Sequence, residues 1–425
     1  MQNKIDKERI RKILEKNNKW WKKRDFELDF KPREIYPKIK RFMEGKQILA
    51  LNGLRRVGKT TIMFKLAKDF IQGYGNKNIV YFSFDEFKEA RLEEILEVYL
   101  DLFDKEIEDG KYLVLFDEIQ KVEDWEEQLK RLYDENQNIK FVISGSESLF
   151  IEKSSKESLA GRIFDFKIRQ LSFKEYLRFR GKEFDNLKLY KKEILSEFKK
   201  YLFSNGFPEL IGKDKEVIEK YLRGTIIERI IYRDAPQVFK IREPEILEQI
   251  LRIILKDPGR MINFNGLAGQ LQISRQTISN YLNYLEKSFL IKKVYNYSGS
   301  QRKTERKMKK YYPAILLPET IKNYFGKAFE TAIILDLEAD YFWRDQYKNE
   351  VDTIKIERDD LFPIEIKPGE FSEKDLKPLK LFSKKFDTEK PTVITYDKKI
   401  KMEGIEVIPF YEYFLRKDKK EIKEK

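Results

Sequence analysis

The sequence predicts an α/β protein whose first large domain is a P-loop nucleotide-binding fold, and two observations support this fold class. Residues 53–60, Gly-Leu-Arg-Arg-Val-Gly-Lys-Thr, fit the phosphate-binding pattern G-x-x-x-x-G-K-[ST] and lie between an apolar strand (47–52) and an amphipathic helix (61–70). Beyond them, apolar β-rich segments alternate with helical segments as far as residue 143. Such alternation is typical of a parallel sheet covered on both faces by helices.

The loop residues suit a bound nucleoside triphosphate. Gly53 and Gly58 let the backbone curve around a phosphate so that several N–H groups point inward, at the positive end of the next helix. Lys59 is expected to reach the β- and γ-phosphates, and the Thr60 hydroxyl to ligate Mg²⁺. ATP and Mg²⁺ are therefore the expected ligands, and a chance glycine-rich turn is the alternative. The predicted nucleotide-contacting set is Gly53, Arg55, Arg56, Val57, Gly58, Lys59, Thr60 and Thr61.

A second strand end carries acidic residues suited to ATP hydrolysis. The apolar segment 111–116 ends in Asp117 and Glu118, about sixty residues after the P-loop, which is the Walker B pattern. Asp117 is expected to help hold Mg²⁺, and Glu118 to polarise the attacking water.

Two further residues are candidates for the same site. The strand 140–143 ends in Ser144, whose hydroxyl can contact the γ-phosphate or the attacking water; Ser146 is an equal candidate, and an ordinary turn is the alternative. Arg162 follows and can stabilise charge on the transferred phosphoryl group, in cis or from a neighbouring subunit. A structural ion pair is the alternative for Arg162.

Composition limits the chemistry of the rest of the chain. The 425 residues include no cysteine and no histidine, which excludes disulfides, Cys/His zinc sites, thiol nucleophiles and imidazole bases. Any metal must be bound by oxygen ligands. The formal net charge of +14 favours a polyanionic partner. A charged amino terminus and the lack of long apolar runs predict no signal peptide and no membrane span, hence a cytoplasmic protein.

Residues 262–312 have the pattern of a winged helix. A helix starting near Phe264 is followed by a turn and by a helix at 275–287, with Ser274 as its N-cap. The polar start of the second helix and the basic hairpin after it favour DNA contact, although winged helices also serve as protein spacers. These residues are Arg275, Gln276, Thr277, Ser279 and Asn280 on the helix, and Arg302, Lys303, Arg306, Lys307, Lys309 and Lys310 on the hairpin.

The C-terminal region carries a second candidate site. Asp352 lies in a predicted strand, and thirteen residues later Glu365 and Lys367 lie on one face of the next strand. With Glu330 from an upstream helix, this spacing fits the PD-(D/E)xK nuclease arrangement, in which carboxylates hold Mg²⁺ and the lysine positions the water. A chance match among abundant acids and lysines is the alternative, and such folds also persist without cleavage.

Together these motifs resemble the prokaryotic, largely archaeal, P-loop ATPases of the AAA+-related class that carry a C-terminal nuclease-like domain of unknown function. The resemblance covers nearly the whole chain and implies ATP binding and hydrolysis, without a settled biological role. It rests on residues 53–60, 115–120, 144–146, 159–162, 171–176, 342–344, 350–352 and 364–367.

The motifs and breaks in the pattern predict five segments. They are a basic helical arm (1–44) that packs on the core, the P-loop ATPase core (45–168), a helical lid (169–257), a winged helix (258–312) and a nuclease-like α/β domain (313–425).

Three functional hypotheses follow. The leading one is an ATPase whose nucleotide state controls a DNA-engaging winged helix and a Mg²⁺-dependent nuclease-like domain. The second is an ATP-dependent regulatory switch whose nuclease-like domain does not cleave and binds a protein partner; a homo-oligomer is open in both cases. A kinase shares the P-loop, but the helical lid and winged helix argue against it.

Overall fold

The computed structural model describes residues 2–23, 26–107, 110–145, 159–300, 302, 304, 307–388 and 390–415. The chain divides into two compact units, 1–170 and 171–425. Among the residues described, no helix is both long enough and apolar enough to cross a membrane.

The first unit is built on a five-stranded sheet in the order β2-β3-β4-β1-β5. Its strands are β1 (Ile48–Asn52), β2 (Ile79–Ser83), β3 (Tyr112–Asp117), β4 (Ile139–Gly145) and β5 (Ile163–Lys167). All four pairings are parallel, which confirms the predicted α/β class with a parallel sheet. The strand β5 was not predicted; it lies at an edge and exposes much of its length.

The helices of the first unit connect these strands in the expected alternation. They are α1 (Gln2–Asn17), α2 (Tyr36–Arg41), α3 (Lys59–Tyr74), α4 (Leu92–Phe103) and α5 (Trp125–Glu135), with short 3₁₀ turns at Lys19–Trp21, Asn76–Asn78 and Ile119–Lys121. Strands β1 to β4 are buried along their whole length, as expected of a sheet covered on both faces.

The N-terminal arm packs on the core, as its tryptophans predict. The side-chain amide of Asn18 takes the place of a neighbouring strand, donating to the Tyr81 carbonyl (2.9 Å) and accepting from the Tyr81 N–H (2.7 Å). Trp20 and Trp21 both donate their indole N–H to the Ile79 carbonyl, at 2.9 and 2.8 Å. The arm therefore satisfies backbone groups that the edge strand β2 would otherwise leave open.

The second unit begins with helices and continues into a mixed α/β region. Its helices are α6 (Phe173–Phe179), α7 (Lys191–Ser204), α8 (Lys215–Lys220), α9 (Ala235–Phe239), α10 (Pro244–Lys256), α11 (Phe264–Leu271), α12 (Arg275–Lys287), α13 (Pro318–Asn323), α14 (Phe325–Asp336), α15 (Lys377–Phe386) and α16 (Phe410–Leu415). Two π-helical segments, Tyr221–Glu228 and Ile230–Asp234, and 3₁₀ turns at Pro208–Leu210 and Glu373–Leu376 complete the helical part.

One nine-stranded sheet runs through this unit in the order β13-β14-β12-β11-β10-β9-β7-β8-β6. Its strands are β6 (Arg260–Met261), β7 (Ile291–Asn296), β8 (Lys309–Pro313), β9 (Tyr341–Arg344), β10 (Glu350–Glu357), β11 (Asp360–Lys367), β12 (Thr392–Thr395), β13 (Lys401–Met402) and β14 (Ile405–Pro409). The hairpin β7–β8 is antiparallel, and β7 pairs in parallel with β9. The hairpin predicted as a wing therefore continues the C-terminal sheet.

The helices predicted for the winged helix are present. Ser274 caps α12 by accepting a hydrogen bond from the Thr277 N–H at 3.0 Å. Arg275, Gln276 and Asn280 are exposed at the start of α12. Lys310 differs from the prediction, because it is only 5% exposed and does not belong to a basic surface. Lys303 and Arg306 lie outside the described residues.

Candidate functional site

The P-loop follows β1, the strand between β4 and β5. Gly53 has a φ of +149°, and a Cβ at this position would lie 2.0 Å from the carbonyl oxygen of Ile168. Gly58 has a φ of +97° and immediately precedes α3. Both positions therefore need glycine, for close backbone approach at Gly53 and for the left-handed conformation at Gly58. The N-terminus of α3 is directed by this turn into the loop.

Lys59 is buried within the loop that it follows. Its Nζ donates to the carbonyl oxygens of Gly53 and Leu54, each at 3.1 Å, and lies 3.9 Å from Oε1 of Glu118. Its side chain is 4% exposed. The ammonium is thus held at the centre of the loop mainly by neutral carbonyl groups.

The carboxylate of Asp117, at the end of β3, accepts hydrogen bonds from hydroxyl groups on three separate elements. Thr60 Oγ1 donates to Oδ2 at 2.7 Å, Tyr81 OH donates to the same oxygen at 2.8 Å, and Ser144 Oγ donates to Oδ1. Burial and the nearby Asp117 charge raise the pKa of Tyr81, so its hydroxyl remains a donor. The predicted residues Thr60, Asp117 and Ser144 are therefore in direct contact.

Glu118 lies next to this group in a left-handed conformation, with a φ of 58°. Its backbone N–H donates to Ser144 Oγ at 3.4 Å, and its carboxylate accepts from Gln120 Nε2 at 2.7 Å. The conformation directs the carboxylate back toward Lys59 rather than along the strand. Glu118 and Lys59 are therefore an acidic and a basic side chain of the same site.

Two contributors were missed by sequence reasoning. Arg33 is 6% exposed, and its guanidinium donates to the carbonyls of Val57 (2.8 Å) and Arg169 (2.7 Å), which braces the P-loop from outside. No local pattern marks this contact, because the partners are 24 and 136 residues away. Tyr81 lies in a predicted strand, but strand periodicity shows only its face and not its partner.

The other residues predicted to contact the nucleotide differ in exposure. Val57 is buried, Arg55 and Thr61 are partly buried, and Arg56 is exposed on the loop with a φ of 63°. Ser146 lies outside the described residues.

Arg162 precedes β5, and its carbonyl accepts from Ile48 at the start of β1. The P-loop leaves the other end of β1, about 15 Å away. The Arg162 guanidinium forms hydrogen bonds to Asp134 at 2.9 and 3.0 Å. A role of Arg162 in hydrolysis would therefore require a neighbouring subunit.

The second unit brings the four predicted C-terminal residues into one region of its sheet. Asp352 in β10 accepts from the Ile366 N–H at 2.8 Å, and Lys367 donates to Glu365 Oε1 at 2.7 Å within β11. Glu330 in α14 accepts from Tyr312 OH at 2.7 Å. Glu365 Oε2 is buried and has no hydrogen-bond partner among the described residues.

Two residues that were not predicted also enter this cluster. Glu350 in β10 accepts from Arg344 Nη1 and from Lys310 Nζ, at 2.7 and 2.6 Å. The Lys310 Nζ lies 3.8 Å from Glu330 and 4.0 Å from Asp352. Within the described ranges, no group of three acidic side chains has an arrangement that could hold a metal ion. The metal set Glu330, Asp352 and Glu365 remains a prediction.

Burial and mutual repulsion shift the acidity of these groups. Burial raises the pKa of Glu365 to about 8, and the Asp352 charge adds to that effect. Burial also raises the pKa of Glu330 and of Asp352, against the opposing charge of Lys310. Glu350 is half-buried, and the Lys310 ammonium beside it holds its pKa below the ordinary value.

Comparison with protein families separates the chain into three matched segments. Residues 45–177 match a family described as "AAA domain". This segment is an AAA-type P-loop domain. Residues 195–314 match a domain of unknown function (DUF8612), and residues 325–413 match another (DUF4143).

The chain is also similar to uncharacterized proteins of Methanocaldococcus jannaschii and Haemophilus influenzae. MJ1637 of Methanocaldococcus jannaschii is 29% identical over 328 residues, which are 71% of this chain and 67% of that protein. MJ1544 of the same archaeon is 32% identical over 59% of this chain and 57% of that protein. An uncharacterized protein of Haemophilus influenzae is 28% identical over 62% and 66% of the two chains. The alignments span at most about two thirds of these relatives.

Solved structures give weaker likenesses. PCH-2 of C. elegans aligns over 39% of this chain and 46% of that chain, with 18% identity and a TM-score of 0.23. Cdc6p of Pyrobaculum aerophilum aligns over 72% and 96%, with 10% identity and a TM-score of 0.29. Both TM-scores are too low to define a shared fold.

Proposed function

We propose that the AAA-type domain binds ATP with Mg²⁺ and hydrolyses it at the P-loop. The contact of Thr60 with Asp117 is the observation that carries this proposal, since it joins a hydroxyl and a carboxylate from the two nucleotide motifs. Both are oxygen donors of the kind that Mg²⁺ prefers. When bound, Mg²⁺ neutralises charge on the phosphate oxygens.

The remaining residues of the site have distinct tasks in this proposal. The N–H groups at the start of α3 bind phosphate oxygens, and Lys59 exchanges its loop carbonyls for them. Glu118 orients the attacking water and accepts its proton, while Gln120 fixes the carboxylate. Ser144 fixes the position of the Asp117 carboxylate relative to the Glu118 backbone, because its hydroxyl forms hydrogen bonds with both.

The test is ATP turnover by the full chain in Mg²⁺, comparing the wild type with Glu118→Gln. Removal of the base is expected to reduce turnover by about 10²- to 10⁴-fold while ATP still binds. Glu123→Gln, at an exposed position five residues along the chain, is the matched control and should leave turnover unchanged. Equal turnover of wild type and Glu118→Gln would contradict the proposed role.

We further propose that the nucleotide state acts on DNA contact through α12. The exposed Arg275, Gln276 and Asn280 at its start support this, because the first turn of such a helix is where base and phosphate contacts are made. Affinity for double-stranded DNA should fall steeply with salt. Arg275→Ala should weaken binding, whereas Arg252→Ala on α10 should not. A salt-independent affinity would favour a protein partner instead.

Of the two C-terminal hypotheses, the geometry favours a nuclease-like domain that does not cleave. The buried Lys310 ammonium among the carboxylates supports this choice. In Mg²⁺, the wild type and Asp352→Asn should leave double-stranded DNA equally intact. Cleavage that Asp352→Asn abolishes would restore the nuclease hypothesis.

A further inference from the structure

The strand β8 projects two side chains into the C-terminal carboxylate cluster. Lys310 and Tyr312 are two residues apart and therefore share a face of the strand. Tyr312 donates its hydroxyl to Glu330 and is fully buried. Lys310 lies beside it, 5% exposed, with its ammonium 5.4 Å from the centre of the Phe342 ring.

The Lys310 ammonium is centred among carboxylates from two different elements. It lies 2.6 Å from Glu350 and 4.0 Å from Asp352, both in β10, and 3.8 Å from Glu330 in α14. A buried carboxylate needs a paired charge or hydrogen-bond donors to remain ionised. Lys310 supplies that charge from a strand outside the predicted Asp352–Glu365–Lys367 pattern.

An ammonium at this position competes with a divalent cation. Mg²⁺ and Ca²⁺ bind carboxylate oxygens at about 2.0–2.6 Å. An ion bonded to Glu350, Asp352 or Glu330 would have the Lys310 ammonium, a like charge, within a few ångströms, beside carboxylate side chains that are only 16–25% exposed. Repulsion between the two like charges therefore weakens the binding of a divalent cation at the carboxylates nearest Lys310.

We propose that Lys310 is an internal counter-ion that closes the C-terminal carboxylate cluster to divalent cations. The cluster then links β8 to β10 and α14 through ion pairs, and it is not a metal centre. The proposal rests on the non-cleaving nuclease-like domain proposed above, and it does not depend on ATP hydrolysis in the first unit.

The experiment measures Mn²⁺ binding to the nucleotide-free full chain, by loss of the free Mn²⁺ paramagnetic resonance signal. Wild type and Asp352→Asn are expected to bind Mn²⁺ equally, since Asp352 contributes no site. Lys310→Met is expected to gain one site at least tenfold tighter than any in the wild type. The double variant Lys310→Met/Asp352→Asn should lack that Mn²⁺ site. Lys310→Arg, which keeps a positively charged side chain, should lack it as well.

Two results would overturn the proposal. A wild-type Mn²⁺ site that Asp352→Asn removes would overturn the proposal, because the cluster would then be open. A folded Lys310→Met chain that gains no Asp352-dependent site would also overturn it. If Lys310→Met fails to fold, the wild type and Asp352→Asn still decide: equal binding supports the proposal, and loss of a site refutes it.

Discussion

Two charged centres among the described residues use the same residue types in opposite ways. In the first unit, Asp117 is contacted by the hydroxyls of Thr60, Tyr81 and Ser144, and Lys59 is bonded to backbone carbonyls. In the second unit, the lysine contacts a carboxylate directly, at 2.6 Å from Lys310 to Glu350.

We infer that this difference decides which centre is available to a cation. Neutral hydroxyl donors orient a carboxylate without cancelling its charge, so Asp117 can still attract a cation. An ammonium inside the cluster offsets part of the carboxylate charge. A lysine near carboxylates is therefore a poor guide to function until its own partners are known.

The strongest test of the first centre is Lys59→Met. We expect ATP turnover to fall by about 10³-fold, since the variant lacks the ammonium that meets the phosphate charge in the transition state. Lys111→Met, an exposed position before β3, should have no effect. Steady-state phosphate release measures both, and near-normal turnover by Lys59→Met would refute the assignment.

The second centre is tested by the stability of the Lys310→Met variant. We expect a loss of about 3–5 kcal/mol in the free energy of unfolding, because removal of one partner leaves buried carboxylates uncompensated. Lys59→Met should change stability less, because Lys59 donates to the neutral carbonyls of Gly53 and Leu54 and its distance to Glu118 is longer, at 3.9 Å. Chemical denaturation of both variants gives the comparison; equal losses would remove the distinction between the two centres.

Backbone geometry offers a third contrast, within the first unit. Gly53→Ala is expected to destabilise the chain by about 2–4 kcal/mol, because the new Cβ would meet the Ile168 carbonyl oxygen at 2.0 Å. Gly73→Ala in α3 is the control, since no atom beyond the neighbouring backbone of α3 itself lies within 4 Å of its Cβ position. It should be neutral or stabilising by up to about 1 kcal/mol. Thermal unfolding distinguishes the two substitutions.

The role of hydroxyl donors is tested by Tyr81→Phe. The variant loses one hydrogen bond to Asp117, worth about 1 kcal/mol, while Thr60 still donates to the same oxygen. Turnover should therefore fall by tenfold or less. Tyr74→Phe, near the end of α3, is a suitable control. A loss as large as that of Lys59→Met would give Tyr81 a direct part in hydrolysis.

The smallest effect is expected at a third charged group, around Glu197 in α7. Glu197 is 1% exposed and lies 2.9, 3.3 and 3.4 Å from Lys200, Arg180 and Lys182. Burial opposes its ionisation, but these cations outweigh burial and hold the Glu197 pKa below the ordinary value.

A lowered carboxylate pKa stabilises the fold above the ordinary value of 4.5, and that contribution is lost as the pH falls through the lowered pKa. The stability difference between wild type and Glu197→Gln should therefore be constant above about pH 5 and should shrink in more acidic solution. Denaturation at pH 7 and pH 3.5 measures it. Glu216→Gln, with a side chain 77% exposed, is the control and should show no such trend.

Much of the fold was predictable because it depends on local patterns. The apolar strands β1 to β4, the P-loop, the Ser274 cap of α12 and the β10–β11 pair all follow from residue spacing within short segments. The edge strand β5 was missed because it is short and largely exposed, so it lacks the apolar run that marks a buried strand.

The sequence by itself determined the residue types of both centres, including Thr60, Asp117 and Glu118 at strand ends and Asp352, Glu365 and Lys367 on paired strands. Only the tertiary structure decided their partners. Arg33, Tyr81 and Lys310 reach their sites through contacts between distant elements, and Arg162 lies beside the end of β1 that is opposite the P-loop. Periodicity specifies the face on which a side chain lies, but long-range packing specifies what it meets there.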